Sequence, residues 1–477
     1  MSAYLGIDIG TSSIKLCILD GSSIIEQRTV PVEDLSIHEG SIHMRDISEI
    51  WRRLADALRK MQNTGKVVAL SVDGTSGSIV PVNENMEPRY LELMYNDARA
   101  VEEATILSSC KEAKKYEAYL PISSTLVIPK VMWLKRNLNR KWKFILHESD
   151  YIVYKLCNEI ATSSNTAGKS HANIYGEGYW SEVYLSVGLD PSIMPKIYPV
   201  GAEVGKVTSP ASQKTGIPFG AKVYNGVTDS TASDISTGVF KPGSTNITLG
   251  TTIVVHTACR KPKVSKIGSY YLKSYVENLF LAAASTNAGA KVLNTIKQLA
   301  KLSHQELSHL AEDIPPGSEG IVVQPQWSGS RSPKPNPKLC GCLIGLREET
   351  FDFPHLYRAL IEGNSYLIRQ ILEDIESSTG EEITELHCTG GLASSTLQLK
   401  IISHVTGKAV RRVDADASLG SALIALSSYL GRKLSEVAPP YVKTIETHHP
   451  DPSIREAYNK YYERFLTLSD MCHEIYR

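Results

Sequence analysis

The sequence predicts an α/β protein of two domains. Three observations carry that prediction. Short β-branched runs alternate with segments whose apolar residues recur three or four apart, the pattern of strands layered with amphipathic helices. The chain has 477 residues, more than one core of about 150 residues needs. A small turn of Gly, Thr and Ser or Thr between two apolar runs occurs twice, at Gly10-Thr11-Ser12 and at Gly250-Thr251-Thr252, 240 positions apart and so about half the chain.

In chain order, residues 4–8 and 14–19 read as strands flanking the first turn, 47–61 as a helix and 67–73 as a further strand. Residues 97–110 read as a helix, and 130–143 as an amphipathic helix rich in Lys and Arg with a solvated basic face. The strand 222–226 leads into a helix at 229–237. Phe240-Lys241-Pro242-Gly243 then punctuates the chain, a natural crossing that sets the expected domains at 1–238 and 239–477. Strands at 244–249 and 253–257 flank the second turn, 321–324 and 385–389 are later strands, and 353–379, 395–406 and 418–430 are helices.

Charge and cysteine content narrow the function classes. Lys+Arg and Asp+Glu both number 51, so the formal net charge is zero, which argues against the clustered cationic face that nucleic acid requires. Eight cysteines spread over this length form no disulfide framework and no paired zinc pattern, and read as reduced, mostly buried thiols. Cys340 and Cys342 form a CxC that reads as two small apolar side chains. Residues 1–19 lack a signal-peptide layout, and no run of about 18 uncharged apolar residues exists. The expectation is a soluble, cytoplasmic protein that binds neither nucleic acid nor membrane.

Three constellations carry chemistry. A tight Gly-Thr-Ser turn exposes backbone N–H groups and hydroxyls, which suits phosphate oxygens. The first turn adds Asp8 at the end of its incoming strand, placed either to hold Mg²⁺ or to satisfy nearby amides. At Asn225-Gly226-Val227-Thr228-Asp229, Asp229 begins a helix; it either caps that helix with Thr228 or accepts a proton from a substrate hydroxyl. Thr389-Gly390-Gly391-Leu392-Ala393-Ser394-Ser395 joins strand to helix with glycines that permit close approach of a nucleotide.

In this order these motifs resemble the FGGY carbohydrate kinases of the sugar kinase/actin/Hsp70 ATPase superfamily, over residues 4 to about 430. Gly6-Ile7-Asp8-Ile9-Gly10-Thr11-Ser12 resembles the first phosphate motif and Thr248-Leu249-Gly250-Thr251-Thr252 the second. Tyr95-Asn96-Asp97-Ala98-Arg99 is similar to the sugar-side W-x-D-x-R with Tyr in place of Trp, Asp150-Tyr151 and 162–168 to the D-Y-L…T…S-N-A stretch, and Gly226-Val227-Thr228-Asp229 to the catalytic-Asp motif. Residues 390–395 resemble the adenosine loop and Asp416-Ala417-Ser418-Leu419-Gly420-Ser421-Ala422 the E-A-x-A-x-G-A-A segment. Asp73-Gly74-Thr75-Ser76-Gly77 replaces G-Q-M-H-G, putting Ser76 where xylulose kinases carry His, as in the ribulokinase-like branch. Gly329-Ser330-Arg331-Ser332-Pro333 departs from G-E-R-T-P by losing its Glu, which leaves the role of that loop open.

The resemblance implies two ribonuclease H-like (actin-like ATPase) domains with a cleft between them, the final helices being candidates to pack back on the first domain. It implies ATP as cosubstrate and Mg²⁺ as cofactor, with phosphoryl transfer to a ketopentose, D-ribulose ahead of D-xylulose. A catalytically degenerate sugar-binding regulator of the same fold is the other reading. The implied roles are Asp229 as catalytic base, Ser76, Asp97 and Asp229 on the sugar, and Asp8 on the metal. Gly10, Thr11, Ser12, Gly250, Thr251, Thr252, Gly390, Gly391 and Ser395 would bind the nucleotide. A homodimer is one assembly it allows.

Overall fold

The computed structural model describes residues 2–138 and 141–477, which divide into two compact units. The first comprises Met1–Phe240, Lys273–Leu279 and Asp416–Val442; the second comprises Lys241–Leu272, Phe280–Ala415 and Lys443–Arg477. The chain thus changes unit close to the Pro-Gly punctuation, and 416–442, assigned from sequence to the second half, clusters with the first unit.

In the first unit, Ala3–Ile9, Ser13–Leu19 and Ile24–Pro31 form an antiparallel meander. Ala3–Ile9 pairs on its other side in parallel with Val67–Gly74, which in turn pairs in parallel with Lys222–Tyr224. Every residue of Ala3–Ile9 is buried, as expected of a strand covered on both faces. One cover is the helix Ala417–Leu430, whose residues 417–426 are all buried. Its approach is close: a Cβ on Gly6 would lie 1.9 Å from the Ser418 carbonyl oxygen, and one on Gly420 would lie 1.9 Å from that of Ala232. Only glycine fits at those two crossings.

The second unit repeats the arrangement. Thr245–Leu249, Ile253–Cys259 and Phe280–Ser285 form the meander, and Thr245–Leu249 pairs in parallel with Glu385–Thr389, itself parallel to Ala409–Val413. Each unit therefore carries an antiparallel hairpin whose first strand borders a parallel strand, with the Gly-Thr-Ser/Thr turn at the hairpin tip. The helix Phe353–Thr379 begins on an Asp352 cap and ends at Gly380 with φ 76°, the usual asymmetry of helix ends.

Some elements differ from expectation. The helix read at 97–110 spans Val101–Ser109, because Asp97 N–H is engaged in a turn by the Met94 carbonyl and Ala98 N–H by the distant Ser41 carbonyl. The helix read at 130–143 spans Val127–Asn137, and residues 139 and 140 lie outside the described ones. Lys130 is not solvated but wholly buried. All eight cysteines are free, and Cys340 alone among them is exposed. No described helix is long and apolar enough to cross a membrane.

Candidate functional site

The first turn is bound from behind. Gly10 N–H donates to the Ser13 carbonyl at 3.0 Å, Val32 N–H donates to that of Ser12 at 2.9 Å, and the Arg45 guanidinium donates Nη1–H to the Gly10 carbonyl at 2.8 Å. A turn whose carbonyls are engaged inside the protein presents N–H and hydroxyl groups on its other side. Thr11 is half-buried and Ser12 exposed there.

Asp8 stands beside this turn, on the strand paired in register with Asp73. Both carboxyls are buried, and each keeps one oxygen, Oδ1, without a hydrogen-bond partner among the described residues. Asp73 Oδ2 accepts from Ser421 Oγ at 2.5 Å. Burial first, and the Asp229 charge second, push the Asp8 carboxyl up to about 7. Burial and the neighbouring Asp8 hold Asp73 well above the usual carboxylate range. Asp229 is the first residue of the helix Asp229–Ser236, half-buried, accepting Ser230 N–H at 2.7 Å. Thr228 occupies the cap position without a side-chain capping bond; its hydroxyl and N–H donate instead to Asn165 Oδ1, at 3.3 and 3.0 Å. Asp8, Asp73 and Asp229 thus form one electrostatically coupled carboxylate group, of which the sequence reading named two.

Arg45 carries the frame of this corner. It is fully buried, pairs with Glu92 through Nε at 2.9 Å and contacts Glu148 through Nη2. Glu148 Oε2 accepts Thr75 N–H at 2.8 Å and Thr75 Oγ1–H at 2.9 Å. The loop Thr75-Ser76-Gly77 is thereby tied to the Gly10 turn through two charged side chains. Two lysines fix its outer part: Lys169 Nζ donates to the Ser76 carbonyl at 2.9 Å, and Lys130 Nζ donates to those of Gly77 and Met94 at 3.0 and 2.6 Å. Burial pushes the Lys130 ammonium down to about 7. Ser76 itself is half-buried.

Asp97 has no exposed surface. Arg99 forks onto it through Nε at 2.8 Å and Nη2 at 2.6 Å, and His43 N–H donates to Oδ2 at 2.8 Å. Its carboxylate therefore holds the hairpin and Arg99 together, and direct contact with a hydroxyl, expected from sequence, is open to it only if that fork parts. Arg45, Glu92, Glu148 and Lys169 were not singled out from sequence, and Lys130 only as part of a solvated basic helix; a charged residue within a strand or an otherwise apolar helix face was the available signal.

In the second unit, the Gly250 turn is likewise held from behind: the N–H groups of Ala290 and Lys291, opening the helix Ala290–Ala300, donate to the Gly250 and Thr251 carbonyls at 2.9 and 3.1 Å. Beside it lies a cavity of about 970 Å³ that brings Gly250, Thr251, Gly391 and Ser395 together, with His304 and Ser308 also in its lining. Thr252 and Gly390 do not line it. Gly390 has φ 88°, and a Cβ there would meet the Leu249 carbonyl oxygen at 2.7 Å, whereas a Cβ on Gly391 would meet nothing within 4 Å. The Gly329-Ser330-Arg331-Ser332-Pro333 loop is anchored by Arg331, whose Nη2 and Nε donate to the Thr286 carbonyl at 2.8 Å and to Asn287 Oδ1 at 2.6 Å. In place of the missing Glu, Ser330 is buried and pairs through its backbone with Asn336.

Comparison with known proteins bears directly on these features. The N-terminal domain of the FGGY family of carbohydrate kinases matches residues 3–236, and the C-terminal domain of that family matches 245–429. A xylulose kinase from Staphylococcus xylosus is 24% identical over 98% of this chain and 100% of its own. A ribulokinase from Halalkalibacterium halodurans is 26% identical over 98% and 94%. Among solved structures, a xylulose kinase from Brucella ovis superposes with a TM-score of 0.92 at 22% identity, over 99% of this chain and 100% of that one.

Proposed function

Since the chain belongs to the FGGY family of carbohydrate kinases and is therefore a phosphotransferase of the actin-like ATPase fold, we propose that it transfers the γ-phosphoryl group of ATP to a hydroxyl of a ketopentose, D-ribulose foremost. The observation that carries this reading is the half-buried Asp229 coupled to the buried Asp8 and Asp73 at the end of a strand whose turn is tied to the Ser76 loop. In the proposed mechanism Asp229 orients the attacking hydroxyl and accepts its proton. Phosphoryl transfer has a loose transition state, so alignment matters more than early proton removal. Ser76 offers the sugar a hydroxyl and Asp97 keeps Arg99 and the adjoining hairpin in place. The Gly10 and Gly250 turns bind phosphate oxygens through N–H groups, and the cavity at Gly391 and Ser395 takes the nucleoside.

The unpartnered Oδ1 atoms of Asp8 and Asp73 fit a divalent cation, since a cation would offset the burial and, second to it, the carboxylate repulsion that hold both carboxyls above their usual range. Mg²⁺ is commonly held by one or two carboxylates together with water and substrate phosphates, and Asp8 and Asp73 would supply those carboxylates. Bound there, Mg²⁺ would neutralise charge on the transferring phosphoryl group.

D-xylulose is the second reading, supported by the name of the Staphylococcus xylosus relative; Ser76 in place of His favours D-ribulose. An ADP-release assay over D-ribulose, D-xylulose, gluconate and glycerol decides it. The expected order places D-ribulose first and glycerol last, and a preference above tenfold in kcat/KM for glycerol or a hexose derivative overturns the ketopentose assignment.

A further inference from the structure

The polar side chains around the second unit's cavity are mostly committed to one another. His304 uses Nδ1 on the Tyr357 hydroxyl at 3.0 Å and Nε2 on Asn294 Oδ1 at 2.9 Å, and Ser308 Oγ lies 3.2 Å from Ser395 Oγ. Gln398 is different. It lines the cavity, it is 1% exposed, and its Nε2 has no hydrogen-bond partner among the described residues. A buried amide donor without an acceptor is unfavourable unless something supplies one.

Position alone offers Gln398 a local role, since it stands three residues after the Ser395 cap, where a Gln can reach back to the cap's own N–H. That N–H is already used: Ser395 N–H donates to the Leu392 carbonyl at 3.1 Å, while Gln398 contributes only its backbone N–H to Ser395 Oγ at 3.3 Å. The side-chain amide therefore finds no partner within its own helix turn.

Resting on the kinase reading above, we propose that Gln398 is the specificity-determining residue that reads the nucleobase, and that it selects adenine. An amide pairs bidentately with the N7 edge of adenine, donating to N7 and accepting from the exocyclic N6 amine. The buried Nε2 supplies the first bond and Oε1 the second. Hypoxanthine and guanine carry an oxygen at that exocyclic position, so Oε1 would face another acceptor and the pair would be lost. A site built to hydrogen-bond one edge rejects an analogue that lacks it more strongly than an apolar pocket can.

Calorimetric titration of the full chain with ADP and with IDP, without sugar, tests this apart from turnover. The wild type should bind ADP about tenfold or more tighter than IDP. Gln398→Leu should weaken ADP about tenfold, leave IDP nearly unchanged and bring the two within about threefold of each other. Gln398→Met, which keeps length and loses both polar atoms, should do the same and guards against a folding defect in the first variant, with melting temperature followed for both. An unchanged ADP-to-IDP ratio in either variant that melts normally overturns the role of Gln398, as does a wild type that fails to distinguish the two. A wild type that binds neither nucleotide overturns the kinase reading together with it.

Discussion

Replacing Asp229 by Asn removes the proton acceptor while keeping the oxygen that takes the Ser230 N–H bond. Thr228, not Asp229, sits at the helix cap, and the bond from Ser230 N–H at 2.7 Å ends on Oδ1, which Asn retains. Volume is almost unchanged. What disappears is the charge, which is the second-largest cause of the raised Asp8 carboxyl. Losing it removes a like-charge repulsion, so the variant should melt at the wild-type temperature or slightly above it. Turnover should collapse. A general base typically contributes about 10²–10⁴-fold to rate, which corresponds to about 3–5 kcal/mol of barrier. Coupled ADP release with D-ribulose at saturating ATP should show kcat reduced into that range, while ADP affinity stays within about threefold because the cavity and the Gly250 turn are untouched. A variant that melts normally and keeps more than about a tenth of kcat, well outside that loss, refutes the assignment.

Three further outcomes follow from the same geometry. Gly391→Val places its side chain where no atom lies within 4 Å, so folding should survive while KM for ATP rises; unchanged ATP kinetics would remove that loop from the nucleotide site. Gly420→Ala drives a Cβ to 1.9 Å from the Ala232 carbonyl oxygen, and since neither backbone can yield cheaply, melting should fall by several degrees for a cost of about 1–3 kcal/mol or more; equal melting would contradict the close crossing. Lys130 is held near 7 by burial against an ordinary 10.5, so between those values the unfolded chain binds the extra proton and stability contributed at this site rises with pH, by at most about 1.4 kcal/mol per unit. Lys130→Met should flatten that rise between pH 7 and 9.5 in melting scans, and parallel curves for the two proteins would show that Lys130 is not the titrating group.

The parts legible in the sequence are those whose physics is local. Gly10 and Gly250 mark hairpin tips because a short Gly-Thr-Ser/Thr turn between apolar runs has few other uses, and Asp229 announces itself by following a glycine-ended strand into a helix. The repeat at Gly250 foretold a second hairpin, and the structure adds a parallel strand beside it. Lys130 misled, because helical periodicity distinguishes an apolar stripe from a polar one but cannot tell when tertiary packing buries a cation against carbonyls of Gly77 and Met94. Asp73 was visible only as part of a loop motif; its pairing with Asp8 arises from the register of two strands some sixty residues apart. The Arg45, Glu92 and Glu148 group joins three distant segments, and nothing within any one of them signals the other two.

The helix Ala417–Leu430 belongs to the first unit although most of the second precedes it in the chain. During synthesis, residues 3–240 therefore emerge without the segment that covers the wholly buried strand Ala3–Ile9 and crosses Gly6 and Ala232 at backbone distance. At about 5–20 residues per second that interval lasts roughly 10–40 s. The apolar layer over the first strand stays open to solvent throughout, a state in which unpaired surface invites association with other nascent chains. Vectorial folding of the N-terminal half as a finished domain is thus closed to this chain. A gene fragment ending near residue 240 encodes an unfinished core, and a stop codon anywhere before the last turns of that helix leaves both halves of the polypeptide damaged.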